Sequence, residues 1–421
     1  MNRKLGIVGT LSILSAALAG CGSSGAQGSS AQGPVTIVVA SWSGTNVTNG
    51  IIQQQLAQFN KAHPSIHAIY RPISGNYQTI VKTELVAGDA PDIITLNNGG
   101  QAPTFEAEGA IVPLNSYLKQ SHFSLSDFYH GALNMFVSGH TVYGIPRDQS
   151  PLALYYNPAL FHAYGISGPP TTWSQFLSDA RKLTNPAKKQ YGLVNTPQEP
   201  RWAQFLYQAG GSVMNAQMTK MTLDTPQALQ GFTFYVNLYR TGVAQQPSQV
   251  GATWGGQALG MGRAAMTLEG AWAIPYLQKT YPNTPFAIAP LPAGPKNNTS
   301  LDFPTAWAIT KDSKHPQQAW QVIKYLTGKG QAKWVEQGGL VTVKKSLINM
   351  PYYQKHPIYK NIIASLPHAV PWNFPVGFNQ YVNTTLANVT LRAVDGSITP
   401  KVALQTLQSQ GNAILKAHGG Q

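Results

Sequence analysis

Apolar and polar positions follow two rhythms along this chain, and the alternation between them predicts most of its elements. Val35–Ala40 (VTIVVA) is a continuous apolar run suited to a parallel strand buried on both faces. A helical period follows from about Thr48 to His63, then a strand at Ile66–Arg71 and a helix at Tyr77–Ala87. A strand at Asp92–Leu96 and a helix at Thr104–Gly109 complete the series. Strands alternating with helices predict a doubly wound α/β lobe. Ligands bind such sheets at the carboxyl ends of the strands, which marks Trp42, the loop around Tyr77, and Asn97 with Asn98.

The rhythm restarts at Leu152–Tyr156, a short buried strand. Helices are predicted at Trp173–Leu183, capped by Thr172, and at Trp202–Ala209, Gln227–Thr241 and Ala271–Lys279. Tyr191–Val194 and Ala264–Leu268 read as strands, so this is a second α/β lobe. Phe286–Ala289 then runs into Pro-Leu-Pro-Ala-Gly-Pro, followed by a strand at Thr305–Ile309 and an amphipathic helix at Pro316–Thr327. Helices from about Pro351 to Lys416 close the chain. Between the lobes, Tyr143-Gly144-Ile145-Pro146 reads as a turn signal and Arg147-Asp148 as a charged couple. At 421 residues, two lobes are expected rather than one.

The order Tyr-Gly-Ile-Pro (143–146), Leu-Tyr-Tyr-Asn-Pro-x-Leu-Phe (154–161) and Pro-Pro-Thr-Thr-Trp (169–173) resembles the extracellular solute-binding proteins (family 1) of bacterial ABC importers. Gly88-Asp89-Ala90-Pro91-Asp92, Gly262-Arg263-Ala264-Ala265-Met266, Gly270-x-Trp272 and Ala289–Pro295 agree. That family includes maltose-binding and glycerol-3-phosphate-binding proteins. The resemblance implies two doubly wound lobes joined by hinge crossings, the type II periplasmic-binding-protein architecture. It assigns residues 35–146 plus 290–338 to an N-terminal lobe and 147–289 plus 339–421 to a C-terminal lobe. The crossings fall near Ile145–Asp148, Ala289–Pro295 and Gly338–Val343.

By the same resemblance Trp42, Tyr77, Asn97 and Asn98 contact ligand from the first lobe. Gln198-Glu199-Pro200-Arg201-Trp202 supplies a carboxylate, Glu199, and either Arg201 or Trp202 at the aromatic position. Glu269-Gly270-Ala271-Trp272 supplies a stacking indole at a helix start, and Asp148, Trp307 and Trp372 lie in matching regions. Val376–Gln380 lacks the Arg of the glycerol-3-phosphate binder, which favours a neutral sugar over a phosphate ester. The implied function is capture of a mono- to trisaccharide by hinge closure. A monomer would deliver it to the ABC permease subunits and their cytoplasmic ATPase, without cofactor, metal or covalent chemistry.

Residues 1–21 read as an export signal: Arg3 and Lys4, an apolar stretch from Leu5 to Leu18, then Leu18-Ala19-Gly20-Cys21. The tetrapeptide resembles a lipobox, so Cys21, the single cysteine, is the expected lipidation site on the extracytoplasmic face of the cell membrane. Its solitude also excludes a disulfide or a cysteine-based zinc site within the folded body. Residues 22–34 are a Gly/Ser/Ala/Gln-rich tether.

Composition changes the picture in two ways. With 29 Lys and Arg against 15 Asp and Glu the formal charge is +14, yet no run of basic residues suggests a nucleic-acid partner. The thinned carboxylates point instead to an acidic medium, in which carboxylate salt bridges fail. An unfolding midpoint that fell sharply from neutral pH to about pH 3 would contradict this. The nine Trp and nineteen Tyr suit carbohydrate, whose C–H faces pack on aromatic rings while hydroxyls pair with carboxylates, amides and Arg. Enzyme signatures are missing: no G-x-x-x-x-G-K-[ST], no H-E-x-x-H and no G-x-S-x-G. The remaining enzyme alternative is a glycoside-acting one using Asp148, Glu199 or Glu269.

Overall fold

The computed structural model describes residues 33–44, 46–97, 101–337 and 341–419. The export signal with Cys21, most of the tether, Asn98 and the start of the third expected crossing lie outside the described residues.

The chain opens with three parallel strands, β1 (Val35–Trp42), β2 (Ile66–Ile73) and β3 (Ile93–Asn97), with β1 between the other two. A small hairpin, β4 (Val137–Ser138) and β5 (Thr141–Val142), leads to β6 (Ile145–Asp148). The chain then crosses to β7 (Ala153–Tyr156), β8 (Tyr191–Val194), β9 (Ala244–Gln245), β10 (Ala264–Glu269) and β11 (Ala287–Ala289). These five form the second sheet, in the order β11-β7-β10-β8-β9. Next come β12 (Ser300–Asp302) and β13 (Thr305–Ile309), and near the end β14 (Ala369–Pro371), which pairs with β12. β13 enters the first sheet antiparallel to both neighbours, giving β2-β1-β3-β13-β6.

Period-two alternation divides each sheet between two cores. In β13, Trp307 and Ile309 pack with the Asn46–Ala62 and Pro316–Thr327 helices, whereas Ala306 and Ala308 pack with the Tyr77–Ala87 helix. In β7, Leu154 joins Phe205 and Phe232, while Tyr155 faces Ile274 and Ile362. Caps fix where helices begin. Asn76 accepts from Thr79 N, and Thr172 accepts from Gln175 N as predicted. Gly88 ends the Tyr77–Ala87 helix at φ 76°, a left-handed turn that suits glycine. Tyr77–Ala87, Trp173–Leu183, Tyr191–Val194, Thr305–Ile309 and Pro316–Thr327 have the predicted bounds. Among the described residues no helix is long and apolar enough to cross a membrane.

The crossings differ from expectation. Ile145–Asp148 is a strand, not a turn. Pro146 is tolerated because β6 lies at the sheet edge, where one side of the strand needs no ladder donor. Arg147 and Asp148 therefore belong to the first sheet, and the first crossing is 149–152. The return is also later than Ala289–Pro295. Ser300–Asp302 pairs with β14, and Leu301 lies in the second lobe's core, so the chain rejoins the first sheet only after Phe303. On the third pass Val343 still packs in the first lobe's core and Lys344 reaches Asp127 at 3.5 Å.

Candidate functional site

The carboxyl edges of the two sheets meet at the first crossing. β6 ends at Asp148, and after four intervening residues β7 begins at Ala153, paired with Glu269 at the end of β10. Between them Ser150 accepts from Ala271 N at 2.7 Å through its hydroxyl and donates its backbone N–H to Asp302 at 2.9 Å. The ends of β1, β3 and β6 thereby approach those of β8 and β10.

On the first lobe, Trp42 is half-buried, with its ring edge-to-face on Tyr77 at 5.7 Å and the Arg147 guanidinium 5.4 Å from its centroid. Asn97 is half-buried and its Oδ1 accepts from Gln78 Nε2 at 3.3 Å. Three other candidates turn inward. Tyr77 is buried; its hydroxyl donates to Thr95 O at 2.9 Å and accepts from Thr95 N, which pins its helix to β3. Burial pushes that phenol far above its ordinary range. Trp307 is a core residue of β13 facing Arg147 at 4.9 Å. Asp148 is fully buried, held by Arg147 Nε at 2.8 Å and by the Thr305 hydroxyl at 2.5 Å. A carboxylate so enclosed is paired within the protein.

On the second lobe the candidates sort just as clearly. Glu199 opens the Glu199–Gln208 helix and Trp202 lies within it, fully buried, donating Nε1 to Thr390 at 2.9 Å. Arg201 turns the other way and donates Nη2 to Glu269 at 2.8 Å, with Nε unpartnered. Helical periodicity explains the split: Trp202 faces the Phe232 ring while its neighbour cannot. Glu269 also accepts from Trp272 Nε1 at 3.0 Å. Burial raises its pKa against the opposing pull of Arg201. Gly270 is needed here because a Cβ would overlap the Trp272 ring and Ser150 Oγ.

Trp272, Phe303 and Trp372 form a strip of half-buried rings. Trp272 meets Phe303 edge-on at 5.8 Å, and Phe303 meets Trp372 at 5.5 Å. Trp372 donates its indole N–H to Glu199, whose carboxyl burial pushes up to about 8. Trp372 and Glu199 also line a cavity of about 620 Å³ between the His130–Asn134 helix of the first lobe and Met214–Met218 of the second. The strip thus has Glu199 at one end and the Arg201–Glu269 pair at the other. Among the described residues no group of three His, Asp or Glu could hold a metal ion.

Sequence reasoning missed Phe303, Asp302, Gln78 and Asn383. Asp302 accepts from the N–H groups of Ser150 and Phe303, and burial raises it to about 7. Asn383 donates to Gln78 Oε1 at 3.1 Å, linking the two lobes. None of these sits in a motif; only Asp302 carried a signal, as an acid beside Pro-flanked Phe303.

Comparison with known proteins agrees with this architecture. A Brucella abortus protein described as a binding protein is 25% identical over 421 residues, 98% of each chain. An ABC substrate-binding protein from Listeria monocytogenes, in complex with cycloalternan, superposes with TM-score 0.83 at 21% identity, covering 92% of this chain and 99% of that one. An ABC transporter solute-binding protein from Thermotoga lettingae, bound with alpha-D-tagatose, gives TM-score 0.81 at 23% identity, covering 91% and 100%. The fold is that of the type II periplasmic binding proteins. The family model for bacterial extracellular solute-binding proteins matches residues 44–333. With two α/β lobes, a shared cleft edge and that match over most of its length, the chain belongs to the bacterial extracellular solute-binding proteins, a family of binders and not of enzymes.

Proposed function

We propose that this protein captures a neutral mono- to trisaccharide outside the cytoplasmic membrane and delivers it to the permease of an ABC importer. The observation that carries the reading is the Trp272–Phe303–Trp372 strip with carboxyls at both ends. Sugar rings pack their C–H faces on such rings while their hydroxyls pair with Glu199, Glu269 and Arg201. The guanidinium charges are already matched, Arg147 by Asp148 and Arg201 by Glu269, so among the described residues of the site neither arginine is a spare cation for a phosphate ester. The sugars bound by the Listeria and Thermotoga proteins support the same class.

Capture proceeds by closure of two bodies, each a sheet with its helices, about segment 149–152, the Phe303–Pro304 link and the stretch after Lys344. The protein works as a monomer, held through lipidated Cys21 on the extracytoplasmic face. A thermal-shift screen against mono-, di- and oligosaccharides and glycerol phosphates, at neutral and acidic pH, tests this. One sugar series raises the melting temperature saturably, and Trp272→Ala weakens its binding about 30-fold, equivalent to roughly 2 kcal/mol. Stabilisation by glycerol phosphates alone, or by no sugar, would overturn the carbohydrate assignment.

A further inference from the structure

Arg147 stands at the end of an edge strand, yet only 4% of its side chain is exposed. Its guanidinium lies against three indoles, 5.4 Å from the Trp42 centroid, 4.9 Å from Trp307 and 5.4 Å from Trp334. Its Nη1 reaches Thr95 Oγ1 at 3.3 Å and Ser41 Oγ at 3.4 Å, and its Nε is bonded to Asp148. Its carbonyl accepts from Gln331 Nε2 at 3.0 Å. Two of the three indoles, Trp307 and Trp334, are core residues that packing alone would fix. Trp42 differs: it is the last residue of β1 and half-buried, with the Tyr77 ring set at right angles to its own.

We propose that Arg147 is a positioning residue for ligand recognition, whose planar guanidinium fixes the orientation of the Trp42 ring at the carboxyl edge of the first sheet. The argument rests on geometry. A plane can face several rings at once and still hold Asp148 through a directed N–H, whereas a lysine ammonium is a point charge on a flexible stem. Arg147 reaches Trp42 from β6 across β13 and β3, so the two residues are adjacent only in the folded sheet. The ligand-recognition part of this inference rests on the carbohydrate reading above and on the ligand contact that the family resemblance implies for Trp42.

The test labels the protein with 5-fluorotryptophan and compares wild type with Arg147→Lys, which keeps a charge beside Asp148 and so avoids the large destabilisation expected of a neutral variant. The fluorine resonance of Trp42 is identified by its loss in Trp42→Phe. In Arg147→Lys that line broadens or splits, while the lines of buried Trp307 and Trp334 stay sharp and those of Trp272 and Trp372 stay in place. Affinity for whichever of maltotriose and D-tagatose binds the wild type falls about tenfold. In a Trp42→Ala background, Arg147→Lys adds no further loss. A sharp, unmoved Trp42 line, or equal broadening of all lines, overturns the positioning role whatever the sugars do. Unchanged affinity with a broadened Trp42 line overturns its part in recognition. If no sugar binds the wild type, the carbohydrate reading falls and the recognition part with it, whereas the ring-positioning part is decided by the fluorine lines alone.

Discussion

Each lobe carries an arginine, a carboxylate and a tryptophan at the carboxyl edge of its sheet, and the two sets are built differently. Arg147 and Asp148 are 4% and 0% exposed, and the carboxylate is held further by Thr305. Arg201 and Glu269 are 14% and 2% exposed, and Arg201 keeps an unpartnered Nε. The first set is closed on itself, with its donors directed at Asp148, Ser41 and Thr95. The second is anchored through a single Nη2 bond, and its buried Nε has no partner. Similar residue types therefore form a closed set on one lobe and an incompletely bonded one on the other.

The largest expected effect breaks this contrast if it fails. Arg147→Met strands a fully buried carboxylate and costs about 3–5 kcal/mol in urea unfolding. Arg201→Met costs about 1 kcal/mol, because burial already raises Glu269 and lets it take up a proton. Equal losses would show that the two pairs are equivalent.

Next in size is pH. Burial raises Glu199 from 4.5 to about 8 and Asp302 from 3.8 to about 7, so the folded state holds protons that the unfolded chain has released. Their contribution is complete below the unfolded values and is lost as pH rises through about 7 and 8. The melting temperature therefore falls by about 5 °C between pH 4.5 and 8.5, and Glu199→Gln removes part of that slope. A flat profile would show that Glu199 and Asp302 release no protons on unfolding in this range. The direction agrees with an acidic working medium.

The smallest effect concerns the bond between the lobes. Replacing Gln78 or Asn383 with Ala weakens sugar affinity by about 0.5–1.5 kcal/mol, and the double variant loses no more than either single one. Additive losses would show that the amides act separately.

Much of this was legible in the sequence, for local reasons. Apolar period and capping residues such as Thr172 and Asn76 set element bounds, because each depends on atoms a few residues away. Place after the first strand also marked Trp42, and the family resemblance marked Glu199, Glu269 and Trp272. What the pattern misjudged was direction. Tyr77, Trp202 and Trp307 have the chemistry of sugar contacts, but their rings are directed into the core. Only tertiary structure decided that Ile145–Asp148 is an edge strand, that Phe303 joins two tryptophans distant in sequence, and that Arg147 faces Trp42 across the sheet. The reason is physical: a helix or strand closes over neighbours in sequence, whereas these contacts join segments up to about 160 residues apart, whose proximity depends on how the strands pair.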